Sequence, residues 1–198
     1  GADVSKDTSG LLAAAEQNQN PQVKQIISDA ANKTPWYKNT AFTDAMRSGD
    51  ADGVRKELPF TDINALDENG ATAAFAAINN PQEQIVNLLI KNTKDINVKY
   101  KGVTPVLLAA ASTITSPAVF KAYIDAGARV DDTDEQGLTP LMVIAGFNQN
   151  PLPLLKLFLD KGANINIQNS LGNTALVYAV KNRTDINIIA FMLKQKAD

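Results

Sequence analysis

The chain contains neither cysteine nor histidine in its 198 residues. Without cysteine it can form no disulfide, no thiolate nucleophile and no cysteine zinc site. Without histidine it lacks the side chain that most often serves as general base and as ligand for transition metals, and serine–histidine catalysis cannot be built within it. From these absences we expect no cofactor, no metal site and no catalytic residues.

Strong charge of one sign and long apolar runs are also missing. Lysine and arginine number 19 against 21 aspartate and glutamate residues, a formal net charge of −2, whereas a nucleic-acid-binding domain normally carries a basic face. No apolar run approaches the roughly 18–20 residues needed to cross a bilayer, and no signal-peptide pattern is visible. We expect a soluble protein without nucleic-acid or membrane contacts, and the sequence leaves open whether it is cytoplasmic or exported by a bacterium.

What the chain does contain is an internal repeat, seen most clearly over 134–145. Its leading glycines are spaced by 32, 35 and 35 residues, at Gly70, Gly102, Gly137 and Gly172. Two residues after each glycine stands a threonine: Thr72, Thr104, Thr139 and Thr174. A fixed period in this range is the sequence signature of stacked repeats, in which each unit must cover its neighbour's apolar face.

Each unit is predicted to hold two helices. The threonine hydroxyl can cap the first helix, and Pro105 and Pro140 suit its first position. The second helix starts at a capping residue followed by proline, at Asn20-Pro21, Asn80-Pro81, Ser116-Pro117 and Asn150-Pro151. Asp50 and Thr184 are predicted to take the capping role where the proline is missing.

We therefore divide the single domain, 1–198, into about six helical pairs. They are an N-terminal cap over 10–35, then 36–66, 67–98, 99–133, 134–168 and 169–198. Pro59 should end its helix early, because proline removes a backbone donor and clashes with the preceding turn. Leu157 is expected to be buried, so that its truncation to alanine would cost about 2–5 kcal/mol.

The chain resembles the ankyrin repeat family. The resemblance is carried by Asp134 to Gly137, Thr139-Pro140-Leu141 and Gly162-Ala163-Asn164-Ile165-Asn166, and it is stronger over 67–198 than over 10–66. It implies an all-α fold, an α–α solenoid of helix-turn-helix repeats joined by short β-hairpin-like loops. It also implies a non-enzymatic scaffold that binds another protein on its concave face.

Two departures from the family pattern have structural consequences. The histidine that follows Thr-Pro-Leu in the family, and that bonds neighbouring loops there, is replaced by Phe75, Leu107, Met142 and Val177. Apolar packing must then replace that hydrogen bond. The segment from Asn97 to Gly102 is one residue shorter than the pattern, so its hairpin should be distorted.

Carried over by position, the partner-binding surface consists of the hairpin tips. The residues are Asp67, Glu68, Asn69, Lys99, Tyr100, Lys101, Asp134, Glu135, Gln136, Asn169, Ser170 and Leu171. Tyr100 between two lysines is the most suggestive cluster, because aromatic residues are enriched at protein interfaces. The alternative is that these are ordinary solvated turn residues. We expect an unidentified protein partner and a monomeric chain.

Other readings of single segments remain open. The acidic segment 131–135 could bind calcium, but it lacks the twelve-residue loop that makes such a site specific, and a solvated hairpin is favoured. Trp36 and Tyr37 could form a contact patch, although covering the join between the cap and the next repeat is favoured.

Two further readings concern the whole chain. An enzyme could use paired carboxylates, either Asp50 with Asp52 or Asp131 with Asp134; this is the least favoured reading. The chain could also be a structural spacer or a fragment of a larger multidomain protein.

Overall fold

The computed structural model describes residues 33–78, 80–111, 116–182 and 185–197, and the structural statements below concern that part of the chain. The predicted N-terminal cap lies outside it except for its last three residues. The predicted caps at Asn20 and Thr184 also lie outside the described residues.

The described residues form helices that follow one another in pairs. The first helices of the pairs are α1 Thr40–Ser48, α3 Ala73–Ala76, α5 Pro105–Ala111, α7 Pro140–Phe147 and α9 Ala175–Asn182. The second helices are α2 Ala51–Glu57, α4 Glu83–Asn92, α6 Pro117–Asp125, α8 Pro151–Asp160 and α10 Ile186–Lys194. This is the predicted all-α repeat architecture.

Strand pairing is minimal among these residues. Thr34–Pro35 (β1) pairs in parallel with Thr61–Asp62 (β2), and Tyr100 forms an isolated antiparallel bridge with Val103. In the other described loops between helical pairs, the structure shows no strand pairing.

The pairs stack into one continuous core. First helices pack on first helices, α5 against α7 and α7 against α9, while second helices pack on second helices, α4 against α6 and α6 against α8. A single cluster of buried side chains runs from Phe42 in α1 to Met192 in α10. Phe120 and Phe158 meet edge to face across neighbouring second helices, with ring centroids 5.6 Å apart. Each pair therefore covers apolar surface that its neighbour could not bury alone.

The helix starts follow the predicted capping rules in part. The hydroxyls of Thr72 and Thr139 accept backbone N–H groups of their helices at 3.3 Å, Asp50 accepts from Gly53, and Ser116 accepts from Val119. These caps are confirmed.

Three predicted caps are wrong. The Thr104 hydroxyl is buried without a hydrogen-bond partner, and the Asn150 side chain makes no capping bond to α8. Helix α4 starts only at Glu83, so the Asn80 oxygen accepts the Gln82 N–H at 2.9 Å in the turn before the helix, while its amide donates to the Met46 carbonyl oxygen at 2.7 Å.

Two expectations about the second helices had opposite outcomes. Helix α2 ends at Glu57, and 58–60 form a 3₁₀ turn that contains Pro59, so the early stop is confirmed. Leu157 is only half-buried and packs on the edge of the core, so the prediction of full burial is wrong. Leu154, Leu155 and Phe158 form the buried face of α8.

Candidate functional site

Three of the four predicted tips share one local architecture. Each begins with a side-chain oxygen that accepts two backbone N–H groups from its own turn. Asp67 accepts from residues 69 and 71, Asp134 from residues 136 and 138, and Asn169 from residues 171 and 173, all at 2.8–3.0 Å. Short Asx side chains are suited to this bonding. These three predicted site residues therefore each use one side-chain oxygen to shape the tip.

Asn169 is the most deeply placed of the three, with 8% of its surface exposed. Its side-chain amide donates to the Tyr178 hydroxyl at 2.9 Å, which ties the fourth tip to α9. The sequence did not separate Asn169 from its exposed neighbours, because its pattern marks the turn as a whole.

The tip at Tyr100 is built differently. Tyr100 and Val103 exchange two backbone hydrogen bonds of 2.9 and 3.0 Å, and the two residues between them, Lys101 and Gly102, have φ values of 49° and 79°. Positive φ at both central residues is the pattern of a type I′ hairpin turn. The loop from Asn97 to Gly102, which is one residue shorter than the family pattern, thus forms a tighter hairpin turn. This turn is the predicted distortion.

Tyr100 is half-buried and packed. Its ring meets Phe75 edge to face with centroids 4.9 Å apart, and Lys101 Nζ lies 5.0 Å from the ring centroid. Contact with the Tyr100 hydroxyl raises the pKa of Lys101 above its ordinary value. Lys99 Nζ donates to the Thr133 carbonyl oxygen of the next tip at 2.8 Å. Tyr100 therefore anchors its tip to α3 and offers a partner only one part of its ring.

The remaining predicted site residues are exposed, and we call them the tip row. They are Glu68, Asn69, Lys99, Lys101, Glu135, Gln136, Ser170 and Leu171. Adjacent tips are in contact: the Ser170 N–H donates to the Gln136 carbonyl oxygen at 3.0 Å, and a Cβ added at Gly102 would lie 3.1 Å from Glu135 Cγ. The last three tips, those at Tyr100, Asp134 and Asn169, therefore form a continuous row.

A second set of polar side chains ties the repeats together behind the tips. Each is the residue after a buried or half-buried Ile or Val in the loop that closes a repeat. Asn64 accepts from the Lys94 N–H at 2.8 Å, Asn97 from Arg129 at 2.9 Å and Asp131 from Asn164 at 3.1 Å, and Asn166 donates to the Lys196 carbonyl oxygen at 3.0 Å. We call these four residues the loop ladder.

Sequence reasoning missed the loop ladder. It expected apolar packing alone in place of the family's histidine, and Phe75, Leu107 and Met142 are indeed buried in the core. The available signal was the recurrence of Asn or Asp after Ile63, Ile96, Val130 and Ile165.

The acidic segment 131–135 is engaged by the backbone. Both oxygens of Asp131 accept the Asn164 N–H at 3.1 Å, and Asp134 accepts two N–H groups of its own turn. Burial raises the pKa of Asp131, and the bond from Asn164 partly opposes that shift. Among the residues that the structure describes, no group of three or more His, Cys, Asp or Glu side chains is placed to hold a metal ion.

The second carboxylate pair is also occupied. Asp50 caps α2, and Asp52 forms an exposed ion pair with Arg55. Neither of the two pairs considered from the sequence places two unengaged carboxylates together.

Trp36 lies before α1 and is packed against residues of its own repeat. It is 9% exposed, its indole Nε1 donates to the Ala65 carbonyl oxygen at 3.0 Å, and its ring contacts Tyr37 edge to face at 5.9 Å. The favoured reading, that this aromatic pair covers the join between the N-terminal cap and the next repeat, stays a prediction, because 10–32 of the cap lie outside the described residues.

The comparisons with known proteins bear on the whole chain. The family model described as ankyrin repeats (3 copies) matches residues 11–116 and again 106–198. No curated protein matches the chain. In the described part of the structure, every helix is too short or too polar to cross a membrane. Ankyrin repeats are in general modules of protein–protein interaction and are typically non-enzymatic. With nearly all of its length matched and its helical pairs stacked as described, the chain belongs to the ankyrin repeat family.

Proposed function

We propose that this chain is a non-enzymatic scaffold that binds a protein partner through the tip row and the exposed side chains of the first helices, its concave face. The observation that supports the proposal most is the tip row itself: four successive turns present exposed side chains, and the last three of these turns contact one another. On this proposal the scaffold acts as a monomer, and its balanced charge of −2 favours a protein over a nucleic acid as partner.

The rigidity of the tips supports binding. Asp67, Asp134 and Asn169 fix the backbone of three tips, and the hairpin at Tyr100 fixes the fourth. A preorganised surface loses less conformational entropy when a partner binds. The exposed side chains can therefore meet a partner without a cost for ordering the loops beneath them.

The charges of the tip row suggest how a partner is selected. Glu68 on one tip and Glu135 on another flank the tip that carries Lys99 and Lys101. Complementary charge patterns mainly determine specificity and the rate of encounter. The pattern fits a partner surface that is acidic in its centre and basic on either side.

The test reverses two charges of the tip row. We expect the double variant Glu68→Lys, Glu135→Lys to lose most of the partner captured by the unchanged chain from native lysate, as quantified by mass spectrometry. The matched control is Glu83→Lys, Asp160→Lys, which makes the same charge change at exposed positions of the second helices. Equal recovery by both double variants would contradict the proposal, provided that circular dichroism shows both to be folded.

A further inference from the structure

A cleft lies between α1 and the segment that joins α3 to α4. Its volume is about 360 Å³, and it is open to solvent and not an enclosed cavity. Trp36, Met46, Ala76 and Pro81 form its apolar walls. Aromatic residues and methionine are enriched where proteins bind other proteins.

One residue of the cleft is smaller than its counterparts in the other repeats. Ala76 stands four residues after its capping threonine, and the same position in the next three repeats carries Leu108, Val143 and Tyr178. Ala76 is exposed beside the cleft. A larger side chain at position 76 is therefore expected to take up space in the cleft.

Most polar groups on the wall already have partners within the chain. The Trp36 indole N–H is bound to Ala65, and the Thr43 hydroxyl donates to the Thr40 carbonyl oxygen at 3.1 Å. The Asn80 amide donates to Met46, and its oxygen accepts the Gln82 N–H. These bonds leave few free polar groups on the wall, although polar atoms form a substantial part of its surface.

Arg47 is the exception. Its Nη1 lies 2.6 Å from Asp44 Oδ1, and its side chain is 75% exposed. A guanidinium carries five N–H donors, so this single contact leaves several of them for another acceptor. Exposed ion pairs of this kind are weak and exchange readily.

We propose that the cleft receives a bulky apolar side chain of the bound protein, and that a carboxylate next to that side chain in the partner pairs with Arg47. The proposal rests on the proposed function, since it assigns one anchoring point within the concave face. A phosphate is a poorer fit, because Arg47 is the only cation among the described residues that line the cleft. Apolar anchors in pockets commonly dominate the affinity of protein interfaces.

Trp36 provides a direct reading of the cleft, because it is the only tryptophan of the chain and lines the wall. The probe is a blocked hexapeptide, glycine–glycine–leucine–aspartate–glycine–glycine. We expect a saturable change in tryptophan emission. We also expect at least about tenfold weaker binding when alanine replaces the leucine, as for loss of a buried side chain of this size. Replacement of the aspartate by asparagine should weaken binding severalfold.

Three variants test the assignment. Ala76→Leu should abolish the response by filling the cleft, whereas Ala111→Leu, at an exposed alanine of α5, should leave it unchanged. Arg47→Gln should make the aspartate and asparagine peptides bind equally. Absence of a saturable response, or an unchanged response in a folded Ala76→Leu protein, would overturn the proposal.

The outcomes separate this proposal from the proposed function. If the tip-row double variant loses the native partner while Ala76→Leu retains it, the cleft proposal fails and the proposed function stands. If both retain the partner, the proposed function itself fails.

Discussion

Residue 131 carries a carboxylate where the other members of the loop ladder carry an amide. Asn64, Asn97 and Asp131 all accept a backbone N–H from the next repeat. An amide oxygen does this without charge, whereas burial of the Asp131 carboxylate raises its pKa. In this position the ionised form therefore carries a desolvation cost that asparagine avoids.

The pH dependence of stability follows from that shift. Because the folded-state pKa of Asp131 is raised, the folded chain binds its proton more tightly than the unfolded chain, and the contribution of Asp131 to stability falls as pH rises from the unfolded pKa through the folded one. We expect Asp131→Asn to raise the melting temperature at pH 7 relative to the unchanged chain. This gain should shrink as the pH falls from the raised folded-state pKa towards the unfolded pKa of about 4, and little of it should remain below that value.

The control separates charge from hydrogen bonding. Asp131→Ala removes the acceptor altogether and should lower the free energy of unfolding by about 1 kcal/mol at pH 7. If Asp131→Asn destabilised the chain as much as Asp131→Ala, the carboxylate charge itself would be required and the argument from burial would be wrong.

Residue roles at the tips could be predicted only in part. The Asp-x-x-Gly pattern located the tips correctly, because such turns need a side-chain acceptor and a glycine at positive φ. It did not reveal that Asp134 and Asn169 face inward while Glu135 and Leu171 face outward. That division depends on which oxygen reaches the N–H groups of its own turn, and this is a property of the folded backbone.

At the scale of the helix, α8 shows why the spacing of apolar residues predicted a buried helix but not the burial of each of its side chains. Leu155 and Leu157 both belong to an apolar run, yet Leu155 is completely buried and Leu157 is half-buried. Two residues along a helix are not neighbours on one face. The run of leucines was too continuous for the sequence to show where the buried face ends.

This difference predicts unequal costs of truncation. Leu155→Ala should lower the free energy of unfolding by about 2–5 kcal/mol, as for fully buried leucines. Leu157→Ala should cost less than Leu155→Ala, because its side chain already contacts water. Urea unfolding of both variants measures the two values, and similar losses would show that the two leucines do not differ in burial.

Helix boundaries were predictable where a single local rule applied. Asp50 and Ser116 cap as expected because their hydrogen bonds involve only their own helix. Asn80 lies outside its helix: its oxygen accepts the N–H of Gln82, the residue before the helix, and its amide is tied to the Met46 carbonyl oxygen of the preceding repeat. A bond of this kind between repeats cannot be read from one repeat.

At the scale of the whole molecule, burial at equivalent positions depends on the neighbouring repeat. Val180 in α9 is 56% exposed, whereas Ala145 and Ala110 at the same position of the preceding repeats are 0% and 1% exposed. Helix α9 packs on α7, and α7 packs on α5. The free energy of unfolding is therefore expected to be the sum of a contribution from each repeat and a contribution from each interface between adjacent repeats.

The proposed binding surface depends on this stacking, because only stacked repeats place their tips in one row. The most direct test is a pair of double-mutant cycles measured by urea unfolding. The first cycle combines Phe120→Leu with Phe158→Leu, at two residues of adjacent repeats whose rings are in edge-to-face contact. The second cycle combines Phe42→Leu with Phe158→Leu, at two distant residues that belong to the first and the fourth described helical pairs.

For the adjacent pair we predict a coupling energy of about 0.5–1.5 kcal/mol, as for aromatic contacts in general. For the distant pair the two effects should add to within about 0.5 kcal/mol. Coupling of the distant pair as strong as that of the adjacent pair would contradict a linear stack and, with it, the tip row as a continuous surface.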